Sequence, residues 1–432
     1  MSGAGLAAYR ILSPLMPGVL RLLSLHIGSL KKFQELRKEL FTDIERKLGA
    51  RPKPACRLWV HASSVGEFEQ ARPVIAELKR RMPGLDVVVS FLSDSGYEAR
   101  KNYEHASAVF YLPIDTPANA HRLVGMIKPD IFMLMRYDFW PNHLEALKRS
   151  GAKMVLAAAA LPRSSSYFHP LMKGFYRDIF ALFDAIFTVG EDDRKAFTAT
   201  FGCRNVIQAG DPRFDQVEQR RRDSDARAAS LKPLFDGLQV LVAGSTWKED
   251  ESVLLPAWIP FREKLSLVVV PHKVDRPNIE RILLELRQRG LDAVTISSMG
   301  SRFDPGKQVL VVDQTGYLAE LYTVASMAYV GGAFGVNVHN TIEPAVHGIP
   351  VLFGPNYRKS PEAVGLIEAG GATTITGETD LRHALARFVD DPAFMRQAGK
   401  QAGAFVNSRL GATRTVSDAM ERMCRTGSGT SI

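Results

Sequence analysis

Val330-Gly331-Gly332-Ala333-Phe334-Gly335-Val336-Asn337-Val338-His339-Asn340-Thr341-Ile342-Glu343-Pro344 follows the apolar, strand-like run Met327-Ala328-Tyr329-Val330 and leads into a helix-like run. Three glycines between a strand and a helix allow a ligand to approach the backbone closely. Free N–H groups at the start of the following helix suit an anion such as a phosphate. Glu343 lies about one helical turn after His339 and Asn340, so the three share a face, and a carboxylate there could hold ribose hydroxyls. This is the profile of a nucleotide-sugar site. A Gly-rich turn after a strand is also common in α/β proteins for purely structural reasons.

Outward from this turn the chain repeats one pattern. Short apolar runs at 58–61, 87–91, 109–112, 131–135, 154–160 and 185–189 alternate with longer amphipathic ones such as Phe68–Arg81 and Asp94–Tyr103. Strands alternating with helices predict a parallel sheet covered on both faces. The charged run Glu218-Gln219-Arg220-Arg221-Arg222-Asp223 interrupts the pattern, which resumes with strands at 240–243, 267–270, 309–312, 328–330 and 351–353. The expected organisation is an N-terminal segment over 1–50, a Rossmann-like domain over 51–215, a linker over 216–232 and a second Rossmann-like domain over 233–432. The last helix is free to return to the first domain. Ligands of such sheets bind at the carboxyl ends of the strands, which predicts a cleft between the two domains.

A chain of 432 residues suits two domains. A net charge of +9 favours anionic partners: phosphates, nucleic acid or an acidic membrane surface. The basic residues are spread along the chain with no aromatic-interleaved basic motif, which argues against nucleic acid. Cys56, Cys203 and Cys424 are widely spaced and odd in number, so the reading is reduced core or surface thiols in a cytosolic setting, with no metal-ligand pattern. Residues 6–30 are apolar but broken by Arg10, Pro14, Pro17, Arg21 and His26, short of the ~20 residues of a spanning helix. Followed by Lys31, Lys32, Arg37 and Lys38, this stretch reads as an interfacial anchor on an anionic leaflet, or as a helix packed on the domain.

Several motifs follow strands. In the run 61–73 (HASSVGEFEQARP), Ser63 or Ser64 caps a helix and Glu67 falls in its first turn, close to Gly66. Glu67 could act as general base on a substrate hydroxyl; Ser64 with Glu67 also matches a capping box. Arg136 and Asp138 precede Trp140-Pro141-Asn142 and flank the mouth of the cleft, or form a local ion pair beside a core tryptophan. Arg213, in 210–215 (GDPRFD), could reach an anion or pair with Asp215. Ser245 and Thr246, in 243–251 (AGSTWKEDE), offer hydroxyls to phosphate, and His272 and Lys273 stand at the tip of another strand.

Together these runs, with YLPIDTP at 111–117, FWPN at 139–142, VVPHK at 269–273 and the stretch 313–357, resemble the Kdo transferases of lipopolysaccharide synthesis. Those enzymes move 3-deoxy-D-manno-octulosonic acid from CMP-Kdo to a lipid A precursor. The resemblance implies a GT-B fold and an inverting transfer to a glucosamine 6′-hydroxyl. It also implies no metal, no cofactor beyond the donor substrate, and a place on the cytoplasmic face of the bacterial inner membrane. Glu67 falls on the family's catalytic glutamate. Ser64, Gly66, Arg136 and Asp138 fall on the acceptor side. The donor side takes Arg213, Ser245, Thr246, His272, Lys273, Gly331, Gly332, Gly335, Asn337, His339, Asn340 and Glu343. Cations and fixed donors could then stabilise the departing CMP. The chain has Arg136-Tyr137-Asp138 where many members have Glu-x-Glu, and Asn337-Val338-His339-Asn340 where Gly-Gly-His-Asn is usual, so it resembles a divergent branch. Another GT-B nucleotide-sugar transferase, a sugar epimerase, and a silent CMP-sugar- or lipid-binding relative are the competing readings. For Arg136 the expected partner is an acceptor phosphate or Asp138.

Overall fold

The computed structural model describes residues 3–49, 54–162, 165–300 and 303–427. The first two and last five residues of the expected terminal segments, and 50–53 at the expected start of the first domain, lie outside them. The chain divides into two compact units: residues 1–216 with 410–432, and residues 217–409.

The first unit is built on a parallel sheet of seven strands: β1 Arg57–Ala62, β2 Asp86–Phe91, β3 Ala108–Tyr111, β4 Ile131–Met135, β5 Lys153–Ala159, β6 Ala185–Thr188 and β7 Val206–Gln208, in the order β3-β2-β1-β4-β5-β6-β7. The central strands are buried along nearly their whole length, as near-continuous Val, Leu, Ile and Met runs require when helices cover both faces. Strand order reverses between β1 and β4, where the loops after neighbouring strands run to opposite faces and open a crevice.

Helix Val65–Arg81 begins on the N-cap Ser64 and buries Phe68, Ala71, Val74, Ile75 and Leu78, a 3–4 spacing that makes one apolar stripe. Phe68 sits edge-on to Phe91 and Tyr103 at 5.1 and 5.0 Å. Burying such a ring contributes about 1.5–3 kcal/mol, and it pins the helix start that carries Glu67.

The second unit repeats the design with β8 Gln239–Thr246, β9 Leu265–Pro271, β10 Asp292–Thr295, β11 Gln308–Val311, β12 Met327–Val330, β13 Val351–Phe353 and β14 Ala372–Thr374, again all parallel, in the order β10-β11-β9-β8-β12-β13-β14. Here the order reverses between β8 and β12. The strand before the quoted glycine turn is therefore a switch-point strand.

Three features differ from the sequence reading, while the return of the last helix to the first unit agrees with it. The stretch 216–232 is helical rather than extended: helix Pro212–Arg227 is followed by short turns at Ala228–Ser230 and Lys232–Leu234. Its charges pair along the helix, Arg221 and Arg222 each reaching Glu218 at 2.8 Å, which is how a polar run at i, i+3 and i, i+4 spacing supports itself. Helix Ala412–Gly427 folds onto helix Val65–Arg81, where Arg81 meets Asp418 and Glu421. That return brings Cys424 to Cys56 across 368 positions, and the two form a disulfide with their Cα atoms 5.9 Å apart. These two cysteines are thus not free thiols; Cys203 is, and burial pushes its thiol up to about 11. Finally, residues Gly5–Leu23 make a 19-residue helical run that is long and apolar enough to cross a membrane by length and composition, with a 3-10 turn at Ser13–Leu15 in place of a full break. One face packs on the unit through Tyr9 against Phe175 and through Ser13, whose hydroxyl accepts a bond from Asn142. On the other face Ile11, Leu12, Leu15 and Leu22 are exposed.

Candidate functional site

Glu67, Arg136 and Asp138 follow β1 and β4, the two strands that flank the switch point of the first sheet. One oxygen of Glu67 accepts the Ser63 N–H at 2.6 Å, while the Glu67 N–H reaches Ser64 Oγ only at 3.5 Å. The cap therefore uses Glu67 as an acceptor without excluding it from chemistry, because a carboxylate has capacity for about four such bonds. Burial raises the Glu67 carboxyl above the ordinary glutamate range. The Asp138 charge adds to the rise, against the Ser63 N–H, His61 and Arg136.

Asp138 is oriented from below. His61, buried on β1, holds it through Nε2 at 2.8 Å. An ionised carboxylate only accepts, so Nε2 carries a proton, while Nδ1 lies 2.8 Å from the Ser90 hydroxyl and 3.1 Å from the Ser90 carbonyl oxygen. Ser90 Oγ in turn accepts the Trp59 indole N–H at 2.8 Å. Trp59, Ser90, His61 and Asp138 thus form one hydrogen-bonded chain. Burial pushes the Asp138 carboxyl up, but the His61 bond outweighs it and the group stays ionised below the usual aspartate range. Two carboxyls with opposed environments stand at one switch point, the arrangement that separates an acid–base group from a fixed charge.

Arg136 occupies the left-handed region at φ 60°, a cost that functional loops commonly carry. Its Nε donates to Gln70 Oε1 at 2.5 Å and its Nη2 lies 3.9 Å from Asp211. It does not pair with Asp138. Arg213 pairs with Asp211 at 2.9 Å rather than with Asp215, whose oxygens accept the Gly411 and Thr413 N–H groups instead. Arg213 therefore belongs to the first unit, where it and Arg136 both approach one buried carboxylate. Gly66 is exposed on the first turn, with open space where a Cβ would stand.

The second unit brings together, at its own switch point, most of the residues that the sequence reading expects on the donor side. Asp250, fully buried near the start of helix Lys248–Trp258, accepts the Trp247 and Gly332 N–H groups at 2.9 Å and the Tyr329 O–H at 2.8 Å. It clamps the glycine turn to the loop after β8. A Cβ on Gly331 would stand 2.3 Å from Ser245 O, and one on Gly332, at φ +94°, 2.6 Å from Asn337 O. Gly331 and Gly332 thus make room for the protein's own backbone. Ser245 takes a left-handed φ of 56°. The Thr246 hydroxyl donates to Glu251, which Arg281 holds at 2.5 Å.

His272 stacks between Trp247 and His339, ring centres 4.6 and 4.5 Å away, and Lys273 Nζ lies 5.4 Å over the Trp247 ring. The Trp247 indole donates to His339 Nε2 at 2.9 Å. Indole N–H only donates, so this ring is neutral with its proton on Nδ1. Burial, reinforced by His272, lowers the His339 pKa below the usual histidine value. Asn337 donates to Ser360, Gly335 O accepts from Asn356, and Asn340 Oδ1 accepts the Ile342 N–H. Helix Ile342–Ala345 is a single turn, with Glu343 in it and His339 and Asn340 before it. Arg220 holds the Glu343 carboxylate at 2.8 Å, and burial raises that carboxyl above the ordinary range.

His61, Gln70, Asp211, Trp247, Asp250 and Arg220 were not singled out from the sequence. Two signals were present: Asp250 stands three residues after Trp247, as a capping box requires, and Asp211 stands two before Arg213. His61, Gln70 and Arg220 carry no local signal, since their partners are tens of residues away.

Residues 37–216 match the family described as 3-Deoxy-D-manno-octulosonic-acid transferase (kdotransferase). A 3-deoxy-D-manno-octulosonic acid transferase of Aquifex aeolicus is 29% identical over 335 residues, covering 75% of this chain and 83% of that protein. One from Chlamydophila psittaci is 26% identical over 340 residues, covering 77% of each. Among solved structures, UDP-GlcNAc 2-epimerase of Neisseria meningitidis superposes with a TM-score of 0.58 at 15% identity, over 85% of this chain and all of that one. That likeness is one of fold, and the two Rossmann-like units are those of the GT-B class. Residues 37–216 thus match a Kdo transferase family domain, and over about three quarters of its length the chain is similar to 3-deoxy-D-manno-octulosonic acid transferases, which are glycosyltransferases.

Proposed function

We propose that the protein moves Kdo from CMP-Kdo to the 6′-hydroxyl of a lipid A precursor with inversion at the anomeric carbon, at the cytoplasmic face of the bacterial inner membrane. The observation that carries the reading is Glu67: a carboxyl at a switch-point helix start whose pKa is raised by burial and by the fixed Asp138 charge. A raised carboxyl is a stronger base once ionised. Glu67 takes the proton of the acceptor hydroxyl as its oxygen bonds to the anomeric carbon. The bond from that carbon to the CMP phosphate breaks, and CMP leaves with the electron pair. His272 and Lys273 favour the departing anion, Glu343 and the glycine turn take the nucleoside, and no cofactor beyond the donor is called for. Arg136 suits an acceptor phosphate, and Arg213 an anion of the donor. The exposed apolar face of Gly5–Leu23 supports lying on a membrane.

The test is CMP release from CMP-Kdo in the presence of lipid A precursor, wild type against Glu67→Gln, with CMP binding measured in both. A loss of about 10²–10⁴-fold with nucleotide binding intact supports the base. Release independent of Glu67 moves the base to Asp138. CMP binding with no release by either protein favours a silent binder or a different donor sugar.

A further inference from the structure

A cavity of about 740 Å³ lies along helices Pro117–Ile127 and Pro141–Ser150 of the first unit, within the range of small-molecule sites. It shares no residue with the network around Glu67. Val124, Gly125 and Ala146 give it an apolar floor. Arg10 and Arg149 line it where both pair with Glu145, at 3.5 and 2.5 Å. Lys128 and Lys153 line it as well, and neither has a side-chain hydrogen bond or ion pair among the described residues. Asp130, which also lines it, already accepts the Arg57 backbone N–H. Four fixed cations thus face two carboxylates, a surplus of two positive charges.

The backbone at Lys128 points the same way. Helix Pro141–Ser150 ends on Gly151 at φ +80°, the usual left-handed cap. Helix Pro117–Ile127 ends on Lys128 at φ 49°, ψ 56°, where a side chain is strained and glycine would not be. Arg10, in turn, sits next to the exposed Ile11 and Leu12 on the helix Ala4–Leu12, so the cavity borders the apolar surface.

We propose that this cavity binds the phosphate-bearing head of an anionic glycerophospholipid, an accessory lipid rather than the acceptor. Lys128 and Lys153 meet the phosphate, and the apolar floor takes the first carbons of an acyl chain. The assignment uses no residue of the transfer site, so a failed transfer assay leaves it standing.

The experiment is calorimetric titration of the full chain with dihexanoyl-phosphatidylglycerol below its micelle concentration, with dihexanoyl-phosphatidylcholine and with inorganic phosphate. Wild type is compared with the double variant Lys128→Gly, Lys153→Gln. Lys128→Gly removes the strained side chain, so Tm holds or rises and loss of binding is not loss of fold. Saturable binding of the phosphatidylglycerol, weakened roughly 25-fold in the double variant at about a factor of five per lysine, supports the site. Equal affinity in the variant, or equal binding of phosphatidylcholine, overturns it. Inorganic phosphate binding as tightly as the lipid replaces it with a free-phosphate site.

Discussion

Truncating Asp250 to alanine should unlock the glycine turn without unfolding the protein's other unit. Asp250 is fully buried and accepts three bonds, from the Trp247 and Gly332 N–H groups and the Tyr329 hydroxyl. A hydrogen bond to a charged group contributes about 1.5–3 kcal/mol. The Gly332 N–H loses one such bond, so its local opening becomes roughly 10- to 150-fold more frequent, at a tenfold change for about 1.4 kcal/mol. Hydrogen exchange of peptides spanning 327–345 reads this directly, with β1 as an internal reference in the first unit. Asp250→Asn separates shape from charge: its amide oxygen can still take both backbone donors, so exchange should rise less than in the alanine variant. On the proposed function CMP affinity should fall alongside, because the turn carries the proposed donor-side residues Asn337, His339 and Asn340. Unchanged exchange over 327–345 in Asp250→Ala would refute the clamp. Equal acceleration in β1 would refute its local character.

Three further outcomes are expected. The raised Glu67 carboxyl places the acid limb of the kcat profile above the ordinary glutamate range. With a folded pKa above its unfolded value, the ionised group lowers stability, so Glu67→Gln should raise Tm at neutral pH and the difference should shrink as pH falls through that raised pKa. His339 has the opposite sign: its lowered pKa contributes stability above the unfolded histidine value, lost as pH falls through the folded one. Acidification should therefore perturb Trp247 fluorescence, and a Trp247→Phe protein should lack the His339-linked step. Under non-reducing denaturation one thiol, Cys203, should titrate, and all three after reduction. Cys424→Ser should lower stability by about 2–5 kcal/mol; three thiols without reduction would contradict the pairing.

The central strands were legible because strands buried on both faces are apolar throughout, as in Ile131–Met135 and Val351–Phe353. The missed strands, β7, β10 and β14, are all at sheet edges. There one side is exposed, as with Ile207 and Asp292, and polar residues are tolerated, so neither a continuous apolar run nor clean alternation marks them. The charged stretch at 218–223 looked like a linker because a helix that pairs its own charges has no apolar stripe to display.

Sequence alone determined the α/β class, the two-fold repetition of the design and the segments that follow each strand, because burial periodicity and turn chemistry act over a few residues. It also carried the resemblance that named Glu67. Tertiary structure alone decided the partners. Asp138 rests on His61 and Ser90, Arg136 and Arg213 share Asp211, and Asp250 reaches Gly332. Cys56 meets Cys424 only because the last helix returns to the first unit. Each of these contacts joins residues that neighbouring strands or a returning helix bring together, and charge, tautomer and pKa depend on such contacts rather than on residue type.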